Sequence, residues 1–196
     1  MNSGSVKLEA QELRNATCRG PFKDLIKELA KNPIFAEVAN LDPDSTRIKK
    51  MEDEELVLRF FAISHSNGYL EYKGQFKKFL TNKMVEFNKY DAVMLKEMKE
   101  NFVRTMRLVK EHFGSKPFAK YKKPDGQDFV LMSSFNAAVF DAIACAFSKP
   151  EIKNIPSYND LIKLFADPVF FEAVEGSVND VSKLNNRIRK AQELIV

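Results

Sequence analysis

Apolar residues recur at helical spacing along almost the whole chain. In residues 91–113, apolar side chains return at steps of three and four, which places them on one face of a long helix. Similar patterns predict further helices at 7–16, 21–30, 33–39, 76–87, 158–166, 168–173 and 179–195. Together with two central helices at 48–65 and 135–147, these segments predict an all-α protein, a multi-helix globular bundle of about eight to ten helices. No strand hairpin is predicted.

Two segments, 48–65 and 135–147, are apolar on nearly every face, so both are predicted to be buried central helices. The first contains MEDEELVLRFFAIS, in which four acidic residues suit the positive end of a helix dipole. Its apolar run is interrupted by Arg59, and a buried charge needs a partner. Glu55 lies four residues earlier on the same helix face, which predicts a structural ion pair between Glu55 and Arg59.

The stretch 114–128 is the least regular part of the sequence and is rich in Gly, Pro and Lys. We predict a single helical domain over residues 1–196, with a division into two subdomains within 114–128 as the alternative. Ser133 or Ser134 is expected to cap the helix that follows this stretch.

The composition is typical of a soluble globular protein, with 44% apolar and 30% charged residues. A net charge of +4 permits contact with nucleic acid without arguing for it. Cys18 and Cys145 lack metal-binding spacing, which favours free thiols in a reducing compartment. Neither a signal peptide nor an apolar run of roughly 20 residues is found, so we expect a cytoplasmic protein without membrane contact.

Motifs for nucleotide, metal or nucleophilic chemistry are absent from the sequence, so we predict no catalytic residues, no metal site and no cofactor. The histidines, His65 and His112, both fall near predicted helix ends, where a structural role is expected. The acidic residues 52–55 are interpreted as a helix start in preference to a metal site.

Cations and aromatic residues alternate in the segment FAKYKK, residues 118–123. Lys120, Tyr121, Lys122 and Lys123 are therefore candidate contacts for single-stranded nucleic acid. The alternative, which we favour, is a solvated loop whose aromatic side chains lie against the core. The basic face of the helix at 91–113 has the same two interpretations.

Four segments resemble, in order, the later half of a known family. They are MNSGSVKLEAQELRNATCRGPFKDLIKEL, MEDEELVLRFFA, HFGSKPF and SVNDVSKLNNRIRKAQEL. The family is domain-of-unknown-function family 262, that of the GmrSD-type and related ParB-like restriction proteins, and the resemblance covers nearly the whole chain. Its first pattern falls on Asn2, Ser3, Gly4, Leu8, Gln11, Glu12, Arg14 and Asn15. Its second falls on Met51, Asp53, Glu55, Leu56, Leu58, Arg59 and Phe60.

The chain also departs from the family. Ser5 stands where a second glycine is expected, and serine resists positive φ. The D-G-Q-Q-R motif of the family's catalytic half is absent, and we interpret the D-G-Q at residues 125–127 as a coincidental turn sequence. The resemblance therefore implies a chain that is not an enzyme by itself, either a truncated reading frame, half of a split gene or an excised fragment.

By this resemblance, the chain is a non-catalytic helical module or fragment of a bacterial defence-type, nucleotide-dependent ParB-like DNA nuclease, a restriction system. Its expected partner is a ParB-like catalytic polypeptide docking at the N-terminal face, where an apolar patch near residues 1–13 would also permit self-association. Gln11, Glu12, Arg14 and Asn15 would support the partner's site; alternatively, Glu12 and Arg14 form ion pairs that position the first helix. A stand-alone nucleic-acid-binding or protein-interaction module, and a folded product without a role, are the other interpretations.

Overall fold

The all-α prediction is confirmed: the computed structural model, which describes residues 9–176 and 179–195, is mostly helical. The described residues form the α-helices α1 (Ala10–Thr17), α2 (Pro21–Ala30), α3 (Pro33–Val38), α4 (Thr46–Lys49), α5 (Glu52–Ser64), α6 (Phe76–Phe87), α7 (Ala92–Phe113), α8 (Ala137–Phe147), α9 (Tyr158–Lys163), α10 (Pro168–Ala173) and α11 (Val181–Gln192).

The helix count in this part of the chain exceeds the predicted range by one, because the segment expected to be a single helix at 48–65 is divided. The break falls at Met51, whose φ of 55° is left-handed and therefore non-helical. Ser45 caps α4, and α5 then begins with four acidic residues in its first turn. This arrangement leaves the positive end of the α5 dipole facing carboxylates, as the sequence predicts.

The two central helices are buried, as predicted, and they pack against each other. α8 also packs closely on α11, and its alanines allow that approach. Around α5, phenylalanine rings meet edge to face: Phe22 lies 5.6 Å from Phe61 between ring centroids, and Phe60 lies 5.1 Å from Phe102. Such pairs add to the free energy already gained by burying the rings.

A short antiparallel hairpin, β1 (Lys120–Lys122) and β2 (Val130–Ser133), follows α7, so the expectation of no hairpin is wrong. The strands are too short for a detectable pattern, and the three apolar residues of β2 are all exposed instead of alternating. The cap of α8 is also different from the prediction. Asn136, not Ser133 or Ser134, accepts the hydrogen bonds of Ala138 and Val139, at 2.9 and 3.1 Å, since Ser133 belongs to β2.

Residues on both sides of 114–128 belong to one buried apolar cluster. Phe113 at the end of α7 packs against Phe147 at 5.2 Å, and Phe118 packs against Phe140 at 4.9 Å. These contacts place the hairpin beside the central helix α8. The domain limits, and the alternative division within 114–128, stay predictions.

Candidate functional site

Residues from the two family-like motifs contact one another where α1 meets the first turn of α5. We call this group, Gln11, Arg14, Asn15, Glu54 and Glu55, the motif junction. Arg14 is only 3% exposed and forms an ion pair with Glu55. Its Nε donates to Gln11 Oε1 at 2.8 Å, and Gln11 Nε2 donates to Asn15 Oδ1 at 3.1 Å. The amide of Asn15 in turn donates to Glu54.

Helical spacing explains why these side chains meet. Gln11, Arg14 and Asn15 are separated by three and four residues, so they share the inward face of α1. Burial lowers the pKa of Arg14, and the charge of Glu55 opposes this effect. An arginine stays protonated under such a shift, so the pair tethers α1 to α5 as a charged hydrogen bond.

The junction supports the interpretation that Arg14 positions the first helix. In the part of the chain that the structure describes, Glu12 does not form the ion pair that was expected of it. Its carboxylate instead accepts a hydrogen bond from the backbone N–H of Glu9 at 2.6 Å, in a capping box at the start of α1. The remaining motif candidates, Asn2, Ser3 and Gly4, lie outside the described residues.

Arg59 is paired with Asp141 of α8, so the predicted pair between Glu55 and Arg59 is wrong. The guanidinium Nε lies 3.0 Å from Asp141 Oδ1 and Nη2 lies 2.6 Å from Oδ2, a bidentate arrangement. Arg187 of α11 also donates from Nη2 to Asp141 Oδ2 at 2.6 Å. The physical reason is direction: Glu55 faces α1 and pairs with Arg14, whereas Arg59 lies one turn deeper and faces α8.

The two arginines and Asp141 form a group that we call the buried triad, which joins α5, α8 and α11. Burial lowers the pKa of each arginine and the carboxylate raises it. At Arg59, which holds both carboxylate oxygens, the carboxylate prevails and the pKa is raised; at Arg187, burial prevails and the pKa is lowered. Asp141 was not predicted from the sequence, although it is a single acid within an otherwise apolar helix.

The candidate nucleic-acid contacts on the hairpin divide into two pairs. Lys120 is buried, with Nζ 3.3 Å from the carboxylate of Glu175, and the Tyr121 hydroxyl lies 2.7 Å from that of Tyr158. Lys122 and Lys123 are exposed. Tyr121, the aromatic side chain among the four candidates, therefore packs against the core, which agrees with the interpretation that we favour from the sequence over stacking on nucleic acid.

The basic face of α7 is likewise used within the protein. Lys99 pairs with Glu28 and Lys110 with Glu37. Arg104 Nη2 lies 2.9 Å from the carbonyl oxygen of Ser148, at the C-terminus of α8, where cations are favoured. Two cations of this face are therefore neutralised by carboxylates, and Arg104 is held by a backbone carbonyl oxygen.

The end of α5, the first half of α7 and residues 148–150 line a cleft of about 370 Å³, which we call the α5–α7 cleft. Its walls include the buried residues Phe60, Phe61 and Met98. Glu97 of α7 and Lys149 lie at its rim. The cleft was not predicted from the sequence, because its three parts are far apart along the chain.

A strained turn forms one wall of the α5–α7 cleft. Ser66 and Asn67 have φ of 49° and 58°, in the left-handed region that costs a non-glycine residue roughly 1–2 kcal/mol. The ammonium of Lys149 donates to the side-chain oxygen of Asn67 and links this turn to the end of α8. Backbone strain of this kind clusters at functional sites, which makes the cleft a candidate binding site.

His65 also lines this cleft and packs edge to face on Phe87, with ring centroids 5.5 Å apart. Its Nε2 lies 3.5 Å from the Tyr90 hydroxyl. Burial lowers the pKa of His65 below the ordinary value of 6.5; the charge of Glu86 opposes this, while that of Lys83 adds to it. The imidazole is therefore neutral at pH 7, as expected for a structural histidine.

This shift predicts a pH-dependent stability. Because the folded-state pKa lies below the unfolded one, the unfolded chain takes up the proton first, and stability falls as the pH drops below 6.5. We expect His65→Gln to have a smaller loss of unfolding free energy between neutral and mildly acidic pH than the wild type. Urea denaturation across this range measures it, with His112→Gln, at an exposed site, as the control. Equal losses in wild type and His65→Gln would contradict the assignment.

Cys18 and Cys145 are buried free thiols, as predicted, and burial raises the pKa of Cys145 to about 12. Within residues 9–176 and 179–195, no cluster of three or more His, Cys, Asp or Glu side chains is arranged for metal binding. No helix in that part of the chain has the length and apolar character needed to cross a membrane.

Comparisons with models of known families, with curated proteins and with solved structures find no match to this chain.

Proposed function

We propose that the chain is a non-catalytic helical module of a bacterial defence-type, nucleotide-dependent ParB-like DNA nuclease. In this proposal the chain docks onto a separate catalytic polypeptide, and the N-terminal face of the chain makes the contact. The observation that carries the proposal is the motif junction: the two sequence blocks that resemble the family meet in space and hold α1 against α5.

The direction of the motif side chains supports a positioning role over a catalytic one. Gln11 and Arg14 are buried, and their polar groups are used in hydrogen bonds within the junction. A helix tethered in this way presents its opposite face in a fixed orientation. On that face Leu13 is 54% exposed, and in this proposal it makes an apolar contact with the partner.

The apolar patch is predicted at residues 1–13, of which the structure describes residues 9–13. Among these five residues, Leu13 is the exposed large apolar side chain. The same surface would serve self-association in the absence of a partner. A docking contact and self-association would therefore compete for this surface.

We expect the purified chain to hydrolyse neither DNA nor nucleoside triphosphates in the presence of Mg²⁺, and to bind a polypeptide carrying D-G-Q-Q-R. Leu13→Asp should weaken that binding roughly tenfold or more, because it places a charge in an apolar contact. Isothermal titration calorimetry measures the affinity, and sedimentation measures self-association of the chain alone.

Val93→Asp is the matched control, since Val93 is exposed on α7, away from the motif junction. Equal affinities for Leu13→Asp and Val93→Asp would remove α1 from the docking surface. Nuclease activity of the isolated chain that disappears in Arg14→Ala or Glu12→Ala would overturn the non-catalytic assignment.

A further inference from the structure

The rim of the α5–α7 cleft has a carboxylate and an ammonium. Glu97 is exposed on α7, and among the described residues it has no ion-pair partner. Lys149 donates to the neutral side-chain oxygen of Asn67. Neither charge is therefore neutralised by an opposite charge within the described part of the chain, and both are available to a ligand.

The floor of the cleft is apolar. Phe60, Phe61 and Met98 are buried there, and Met94 is partly exposed at the opening. Methionine side chains are flexible and polarisable, so they adapt to apolar groups of different shape. The volume of about 370 Å³ is near the lower end of the range of roughly 300–1,000 Å³ for small-molecule sites.

These features exclude several ligand classes. A divalent metal ion needs several oxygen ligands, and the rim offers a single carboxylate. A nucleotide needs a cluster of donors for its phosphates, whereas Lys149 is the only cation among the described residues that line the cleft. A ligand of one charge only would leave either Glu97 or Lys149 unpaired.

We propose that the α5–α7 cleft binds a free α-amino acid with an apolar side chain. Its ammonium would pair with Glu97 and its carboxylate with Lys149, in charge-assisted hydrogen bonds. Its side chain would lie on Met98 and the two phenylalanines. Lys149 would exchange its bond to Asn67 for the ligand carboxylate, while the strained turn at Ser66 and Asn67 keeps the wall in place.

The proposal predicts an order of affinity. Methionine and leucine should bind more tightly than alanine, because they bury more apolar surface. Aspartate and lysine should bind most weakly, because each would bury an additional charge without a partner. Isothermal titration calorimetry with the full chain and each amino acid at millimolar concentration measures this order.

Ligands that lack one charged group make the test specific. Leucine, 3-methylbutylamine (no carboxylate) and 4-methylpentanoate (no ammonium) are titrated into wild type, Glu97→Gln and Lys149→Met. Glu97→Gln should weaken leucine and the amine roughly tenfold and leave 4-methylpentanoate unchanged. Lys149→Met should weaken leucine and 4-methylpentanoate to a similar extent and leave the amine unchanged, whereas Lys149→Arg should retain binding.

Glu100→Gln, at an exposed position one turn further along α7, is the control for Glu97, and it should bind like the wild type. Circular dichroism of each variant establishes that the fold is intact. Absence of binding by every amino acid would overturn the proposal. So would equal weakening of all three ligands by both variants, since that would indicate a change in the cleft without recognition of charge. Neither result bears on docking at α1.

Discussion

Asp141→Ala is expected to destabilise the protein by about 3–5 kcal/mol, the cost of removing one partner from a buried ion pair. The carboxylate is fully buried and accepts hydrogen bonds from Arg59 and Arg187. Without it, two guanidinium groups on different helices lose their shared counter-charge in a low-dielectric interior. Because folded domains are stable by only about 5–15 kcal/mol, this single change would consume a large part of that stability.

Urea denaturation at neutral pH measures the effect. Asp44→Ala is the control, because Asp44 is exposed in the loop before α4 and should change stability by less than about 0.5 kcal/mol. The triple variant Arg59→Met, Asp141→Leu, Arg187→Met should recover much of the lost stability, since apolar residues of similar size often replace buried ion groups without cost. A cost below about 1 kcal/mol for Asp141→Ala would show that water reaches the buried triad.

Local patterns in the sequence predicted most of the helices because the helical period is local information. α2, α6 and α10 begin and end where the spacing of apolar residues predicts. A capping box also forms at Ser157: its Oγ accepts from the backbone N–H of Asp160 at 3.2 Å, and the Asp160 carboxylate accepts from the N–H of Ser157. Each of these features needs only the neighbouring residues.

Features that depend on distant residues were missed or assigned to the wrong partner. The i, i+4 rule pointed from Arg59 to Glu55, but the partner in the structure, Asp141, is 82 residues away. The rule describes an isolated helix, where no other carboxylate is near. In the folded protein α8 brings a buried acid to Arg59, and desolvation strengthens that pair above a pair near the helix start.

The candidate site shows the same division. The family resemblance singled out Gln11, Arg14 and Asn15 as motif residues, but it did not place them against Glu54 and Glu55. For the α5–α7 cleft, the helix predicted at 48–65 gave the end of α5 to within one residue. The left-handed turn and the facing rim of α7 arise from tertiary packing, which no local pattern encodes.

Gly68, which follows Ser66 and Asn67 in this turn, is the site of the second substitution with a large effect on stability. Gly68→Ala is expected to lower the free energy of unfolding by about 3 kcal/mol. A Cβ at this position would lie 2.2 Å from the carbonyl oxygen of Ala62, well inside van der Waals contact. That oxygen belongs to the backbone of α5, whose residues 56–63 are all buried, so it cannot move without disturbing the core. The clash is therefore relieved by displacing the strained turn at Ser66 and Asn67.

Gly126→Ala separates this steric effect from the ordinary cost of losing a glycine. Gly126 has a φ of 67° and open space around its Cα, so alanine there costs only the left-handed strain of roughly 1–2 kcal/mol. Thermal and urea unfolding should therefore rank Gly68→Ala as the more destabilising variant, although Gly68 lacks a left-handed φ. The reverse order would mean that the turn yields easily. In that case the wall it forms beside Lys149 would not be a rigid part of the cleft.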